Sequence, residues 1–289
     1  MVKRRLMILR SAMRRSLAVL VAAISLAAFQ RPAAAADLFD GAPVLRGSMF
    51  DGYARWDGFY IGGHAAYTSG GADFGNATQP LIAFILRNTF VENTFGVSNW
   101  TTLGKADANS ASFGGFAGYN WQWDDVILGV ELNYTKTNWT ASSTDSIARR
   151  VNSGTQQFDV TLAASSSLKL IDYTSIRGRA GWATGQFLPY VLAGFVVGRA
   201  DIMKSATVTD VESDTSTSPP TVTGVLGPIT QDDNQNGKFI YGYSGGLGVD
   251  VALASNIFLR GEYEYIQFFG LGGINLYLHT LRAGLGIRF

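Results

Sequence analysis

The sequence predicts an all-β chain folded as an eight-stranded antiparallel transmembrane up-and-down β-barrel with long extracellular loops. Three observations carry that prediction. Segments of 11 to 15 residues alternate bulky apolar side chains with Gly, Ser and charged ones, and the connections between them alternate short and long. Beyond residue 29, no apolar run approaches the roughly 20 residues of a spanning helix. The 34 Gly, 18 Phe, 12 Tyr and 6 Trp among 289 residues suit strands. The absence of Cys excludes a disulfide-stapled or thiolate-metal protein.

The amino terminus stands apart. Lys3, Arg4, Arg5, Arg10, Arg14, Arg15 and Arg31 precede the first acid, and an uncharged run at 17–29 is followed by Pro32 and the small residues Ala33, Ala34, Ala35 and Ala36. Basic, apolar and small-residue segments in that order make a secretory signal peptide. As a helix the run would rise about 20 Å, short of a hydrocarbon core of about 30 Å, which disfavours a membrane anchor. Residues 1–36 are therefore expected to be cleaved, 37–55 to be a periplasmic spacer and 56–289 to form the barrel. Without those seven of the 23 bases, 16 remain against 22 acids, a net −6. That sign argues against nucleic acid as a partner.

The strands follow in order. In 59–69, Phe59, Ile61, Ala65 and Tyr67 oppose Gly62, His64 and Thr68; in 113–123, Phe113, Ala117, Tyr119, Trp121 and Trp123 oppose Gly114, Gly118, Asn120 and Gln122. In 126–135, Val126, Leu128, Val130, Leu132 and Tyr134 oppose Gly129, Glu131, Asn133 and Thr135. The fourth, 168–182, alternates Ile176, Ala180 and Trp182 with Ser175, Arg177 and Arg179; Asp172 breaks its apolar face where the strand should rise clear of lipid. The fifth, 188–200, is apolar on both faces, so its orientation stays open. In 241–251, Tyr241, Tyr243, Leu247 and Val249 oppose Ser244 and Asp250; in 257–269, Ile257, Leu259, Tyr263 and Tyr265 oppose Arg260, Glu262 and Glu264. The eighth, 277–289, sets Leu281, Leu285, Ile287 and Phe289 against Thr280, Arg282 and Arg288. A soluble sandwich would turn such bulky faces inward; lipid outside and a narrow lumen inside require the reverse.

Aromatic residues cluster at strand ends. Trp56, Phe59, Trp121, Trp123, Trp182, Tyr190 and Phe289 fall toward the periplasm, and Tyr67, Phe113, Trp139, Tyr241, Phe269 and Tyr277 toward the outside, as two bilayer interfaces demand. Short turns are expected at 124–125, 183–187 and 253–256, and long loops at 70–110, 140–167 and 201–238. The last, with Pro219-Pro220 among Ser, Thr and Asp, is expected to be mobile and solvated. Residues 81–95 could add a hairpin above the membrane.

The inward parity carries Glu131, Asp250, Glu262 and Glu264 against Arg177, Arg179, Arg260, Arg282 and Arg288. Counting back from hairpin centres sets Arg282 opposite Glu262 or Glu264, and Asp250 opposite Arg260. An eight-stranded barrel is only wide enough to be filled by side chains, so a lumen largely plugged by salt bridges leads over a selective ion pathway. His64 and His279 are the only histidines and neither has a Ser or carboxylate partner in its strand, so no enzyme activity and no catalytic residue are expected. His64 is a candidate ligand residue, with a satisfied lumen histidine as the simpler reading. Asp232, Asn234, Asn236 and Gly237 match the first half of a calcium loop, but Tyr243 stands where the closing Glu belongs. Turn chemistry explains that segment better, and neither metal nor cofactor is expected.

Three stretches carry a family resemblance: Trp56-Asp57-Gly58-Phe59-Tyr60-Ile61-Gly62-Gly63, residues 175–182 followed by Leu188-Pro189-Tyr190, and 281–289 ending on Phe289. With Ala36-Asp37-Leu38, they resemble the alphaproteobacterial outer-membrane immunogenic protein family, porin-like surface antigens with an eight-stranded OmpA-like barrel. The resemblance covers 56–289. It implies the outer membrane of a Gram-negative bacterium, with outer-membrane lipid, periplasmic chaperones and a barrel-insertion machinery that reads the terminal aromatic, Phe289, as partners. It also implies a structural, envelope-integrity and surface-antigen role. The alternatives are a small-solute porin, or a haem-binding or adhesin receptor that meets haem or host surface molecules through its loops. The loops at 70–110 and 201–238 depart most from the family in length, so binding carried by loops does not transfer.

Overall fold

A computed structural model describes residues 55–100 and 102–289; the expected signal peptide (1–36) and all of the spacer (37–55) except Arg55 lie outside the described residues. Eight strands follow the chain: β1 (Gly58–Asp73), β2 (Lys105–Trp123), β3 (Val126–Ser153), β4 (Gln156–Trp182), β5 (Phe187–Asp214), β6 (Thr221–Ala252), β7 (Ile257–Phe269) and β8 (Asn275–Arg288). Each pairs antiparallel with the next, and β1 pairs with β8 from Tyr60↔Arg288 to Asp73↔Asn275, so the sheet closes. Closure is what lipid requires, since hydrocarbon offers no partner to an open edge. Among the described residues no helix is long and apolar enough to cross a membrane.

The burial pattern is that of a soluble protein turned inside out. Phe195 is 79% exposed and Leu281 63%, while Arg177 is 2% and Arg282 3% exposed. Leu285, Ile287 and Phe289 also face outward, and β5 resolves its ambiguity by turning Val191 and Phe195 out and Leu188, Tyr190 and Leu192 in. Three aromatics assigned to the interfaces need correction. Trp56, Tyr190 and Trp139 are buried within the barrel, and the Trp139 indole Nε1 donates to the Ala108 carbonyl at 2.9 Å. Closeness to a strand end sets depth, whereas parity sets the face, and Tyr190 and Trp139 share the parity of Leu188 and Glu131.

β3 to β6 do not stop at the membrane. β3 pairs with β4 as far as Ser153↔Gln156, β4 with β5 to Gln156↔Asp214, and β5 with β6 to Asp214↔Thr221. Residues 140–167 and 201–238 are thus a four-stranded sheet standing above the barrel. The expectation that 201–238 is a mobile, solvated loop is corrected: only 215–220 lie between strands there. Its inward parity carries Ile202, Ala206 and Val208, which are buried.

Residues 81–95 are likewise helical, with no hairpin. α1 (Gln79–Ile85) carries Pro80 in its first turn, where N–H groups lack helical partners anyway. α2 (Phe90–Phe95) is capped by Thr89, whose hydroxyl accepts from the Glu92 N–H, and ends on left-handed Gly96. Ile82, Leu86 and Val91 pack on Phe158, Val160, Leu162, Ala206 and Val208, so the helices cover the inner face of the extracellular sheet. The calcium-like segment lies inside β6. The Gly237 N–H donates to Asp201 Oδ1 at 2.8 Å beside a register shift between Ala200 and Ile202, so a bulge stands where a turn was expected.

Further shifts at Lys136/Trp139 and Leu170/Asp172 continue this row of bulges across β3, β4 and β5. At the second, β4 changes phase: Leu168 and Leu170 are buried above it, Tyr173 and Ser175 below it. That is why Asp172 interrupts an otherwise apolar face.

If Leu281 meets acyl chains, Leu281→Arg lowers folding stability in lipid vesicles by about 2–4 kcal/mol, the cost of a guanidinium near the bilayer midplane. Denaturant titration reads the change, and Thr221→Arg on the extracellular sheet is the control expected to fall within about 0.5 kcal/mol of wild type.

Candidate functional site

Strand register brings the inward charges together. Glu131 and Arg177 are partners across β3 and β4, Asp250 and Arg260 across β6 and β7, and Glu262 and Arg282 across β7 and β8. The Arg177 guanidinium donates through Nε to Glu131 Oε1 at 3.1 Å and through Nη1 to Glu262 Oε1 at 2.7 Å. Arg260 donates to Asp250 Oδ1 (2.8 Å) and Glu131 Oε2 (2.6 Å), and Arg179 bridges Asp250 (2.7 Å) and Glu131 (3.4 Å). Arg282 lies 2.8 Å from Glu262 Oε1 and also pairs with Glu264, which lies 3.3 Å from Arg177. Four guanidinium groups thus interleave with four carboxylates. All eight residues are buried.

Arg288 departs from this set. It is inward and buried, but it donates to the Ser255 carbonyl at 2.6 Å and its guanidinium lies 4.8 Å from the Trp56 ring. Being at the last strand's periplasmic end, it meets the turn before β7 and the Trp56 ring, and it has no carboxylate within 4 Å among the described residues. The expected five-to-four excess of bases is therefore an even four-to-four set within the network.

Tyrosines extend the network, and sequence reasoning missed them. Tyr60 donates to Glu131 Oε2 at 2.8 Å, Tyr190 to Glu262 Oε2 at 3.0 Å, and Tyr173 accepts from Arg282 Nη2 at 3.0 Å. Arg179 stacks over Tyr190 (3.9 Å to the centroid) and Arg260 over Phe116 (4.1 Å), adding cation–π attraction where no water competes. The readable signal is an aromatic on the lumen parity with a glycine as neighbour. A Cβ on Gly118 would lie 2.4 Å from the Tyr60 hydroxyl, and one on Gly248 would lie 2.5 Å from the Tyr190 ring, so each glycine makes room for a ring.

Apolar layers lie on both sides of the charges. Toward the periplasm are Trp56, Phe116, Ile127, Leu188, Leu192 and Phe258; toward the outside, Trp139, Leu168, Leu170, Ile240, Phe268 and Leu278 lead a second cluster. The space beside Glu131, Arg177, Tyr190 and Glu262 holds no void for a water molecule. His64 sits at the edge of the charged layer, with Nε2 3.3 Å from Thr135 Oγ1 and its ring stacked on Phe116. His279 faces outward, and its Nδ1 lies 2.7 Å from the Tyr263 hydroxyl. Phe289 is exposed, its ring 6.0 Å from Phe59, and its N–H donates to the Phe59 carbonyl at 2.9 Å. Among the described residues no group of three His, Cys, Asp or Glu could hold a metal ion.

The outer membrane protein beta-barrel domain matches residues 17–289. The chain belongs to this family. Among proteins similar to this outer-membrane barrel, the 22 kDa outer membrane protein of Rhizobium leguminosarum bv. viciae is 26% identical over 217 residues, which cover 74% of this chain and 64% of the relative. The match thus spans less than two thirds of that relative's length. The 25 kDa outer-membrane immunogenic protein of Brucella ovis is 25% identical over 189 residues, 65% of this chain and 69% of its own. The crystal structure of Neisserial surface protein A aligns with 80% of this chain and 97% of its own at 16% identity, with a TM-score of 0.35.

The outer-membrane barrel also buries a carboxyl group in its extracellular sheet. Asp210 of β5 is 8% exposed. Its pKa is pushed up to about 6, first by burial and then by the negative charges of Glu212 and Asp159. A carboxyl raised in the folded state favours that state when protonated, so its contribution is full below the ordinary value of 3.8 and is lost as pH rises through about 6. Amide-exchange protection of β5 above the membrane, corrected for intrinsic rates, should therefore fall between pH 4 and 7, and Asp210→Asn should remove that part of the dependence.

Glu131 meets three arginines and a tyrosine. Glu131→Ala should lower stability in detergent by about 3–5 kcal/mol because it strands buried cations, whereas Tyr60→Phe should cost only about 1 kcal/mol. Urea unfolding of the two variants separates these outcomes.

Proposed function

We propose that this outer-membrane protein is a non-conducting structural barrel that contributes to envelope integrity and displays a folded surface antigen. The observation that carries the reading is the interleaved set of Arg177, Arg179, Arg260 and Arg282 with Glu131, Asp250, Glu262 and Glu264 between two apolar layers. A solute would have to break several buried ion pairs at once to pass, and each lost partner leaves a charge in a low-dielectric interior. The antigen part rests on the sheet of β3 to β6 and on α1 and α2, which together present Phe84, Phe90, Val222 and Val225 outward.

On this reading the protein has no catalytic role, since His64 is packed between Phe116 and Thr135, and His279 stands in a tyrosine cluster with Tyr263, Tyr265 and Tyr277. The same packing argues against His64 as a haem ligand. A receptor for host surface molecules would act through the extracellular sheet. Assembly is assigned to the barrel-insertion machinery with periplasmic chaperones, and the exposed terminal Phe289 ring beside Phe59 is available to be read.

In planar bilayers the folded protein should give no stepwise current in molar salt, while Arg177→Ala with Glu262→Ala, which deletes the centre of the network, should open measurable conductance. Regular current steps from the wild type would defeat the proposal.

A further inference from the structure

The lipid-facing parity of β3, β4, β5 and β6 carries no charge from the periplasmic ends up to Lys136, Asp172 and Arg199. These three are neighbours. Lys136 pairs in register with Asp172, Asp172 with Arg199, and Arg199 with Phe239, which makes one oblique row over four strands. Arg199 donates to the Asp172 carboxylate through Nε at 2.9 Å and through Nη2. The Tyr134 hydroxyl donates to the same carboxylate at 3.1 Å, and the Lys136 ammonium is 4.0 Å away. Two cations therefore share one anion. The Arg199 side chain is still 50% exposed, and its Nη1 makes no hydrogen bond among the described residues. A groove of about 350 Å³ runs alongside, walled by Val197, Phe239 and Tyr134.

Depth indicates what fills it. Arg199 stands twelve residues along β5 from Phe187, and Lys136 ten along β3 from Val126. At about 3.3 Å per residue and a tilt of about 40°, they lie about 30 and 25 Å above the periplasmic ends, at the upper margin of an apolar band about 25 Å tall. That is the headgroup level of the outer leaflet, whose glycolipids carry phosphates. An excess cation at this depth calls for an anion from the membrane itself, and a guanidinium fixed by Asp172 beside an ammonium is suited to phosphate.

We propose that Lys136, Arg199 and the groove beside Phe239 bind a phosphorylated glycolipid of the outer leaflet. The phosphate lies against Arg199 Nη1 and the Lys136 ammonium, and the apolar walls take an acyl chain. Asp172 orients Arg199 but competes with the phosphate for both cations. Free phosphate would leave the groove empty, so a lipid is the occupant.

The test uses the folded protein in detergent, with bound lipid counted by native mass spectrometry after addition of bisphosphorylated lipid A, the same lipid without phosphates, or phosphatidylglycerol. Unboiled gel mobility confirms that each variant is folded. Wild type should bind the bisphosphorylated form at least tenfold more tightly than either competitor, and Lys136→Gln with Arg199→Gln should abolish the preference. Asp172→Asn, which removes the competing anion and keeps both cations, should retain or increase it. Equal binding of the three lipids by wild type, or a loss in Asp172→Asn as large as in the double variant, would overturn the proposal.

Discussion

A charge wrapped in lipid must find its counter-charge inside the protein, and this requirement organises the barrel. Removing an ion from water costs far more than folding yields, unless opposite charges and hydrogen bonds replace the hydration. Each of the four network guanidinium groups reaches at least two carboxylates, and Glu131 alone gathers three arginines from two strands, Arg177 and Arg179 of β4 and Arg260 of β7. Because these contacts bridge β3, β4, β6, β7 and β8, they tie strands that share no backbone ladder. The register of the wall and the pairing in the lumen therefore specify each other.

The apolar layers give that arrangement its strength. With Phe258 and Trp56 below it and Phe268 and Leu278 above, the charged layer is shielded from bulk water, which raises the value of each pair and the penalty for disrupting one. Tyr60 and Tyr190 belong to both environments: each ring packs in the lower apolar cluster while its hydroxyl reaches a carboxylate.

Much of this was legible in the sequence, for a specific reason. Lipid outside and charge inside give opposite extremes on alternate residues, so Leu281 against Arg282 or Leu259 against Arg260 leaves no doubt about face, and a short turn such as 253–256 then sets Asp250 against Arg260. Above the membrane that contrast fades. The outer face of the β3–β6 sheet meets water, so Ser142, Thr144, Ser165 and Thr207 alternate only with modest apolar residues such as Ala141, Ala164 and Ala206. The segment reads as loop although it is strand. α1 and α2 escaped notice because seven and six residues are too few to display a helical period. Tyr60 was masked by its bulky outward neighbours, Phe59 and Ile61.

The row of bulges separates two regimes of sequence constraint. Below it, adding one residue to β4 would rotate Arg177 and Arg179 into lipid, because a period of two tolerates no odd step. At Leu170/Asp172 such a step is already absorbed, so the strand restarts its count. Sequence drift in the exposed hairpins is thereby uncoupled from the ionic layer. The surface is free to diversify while the ionic layer keeps its phase.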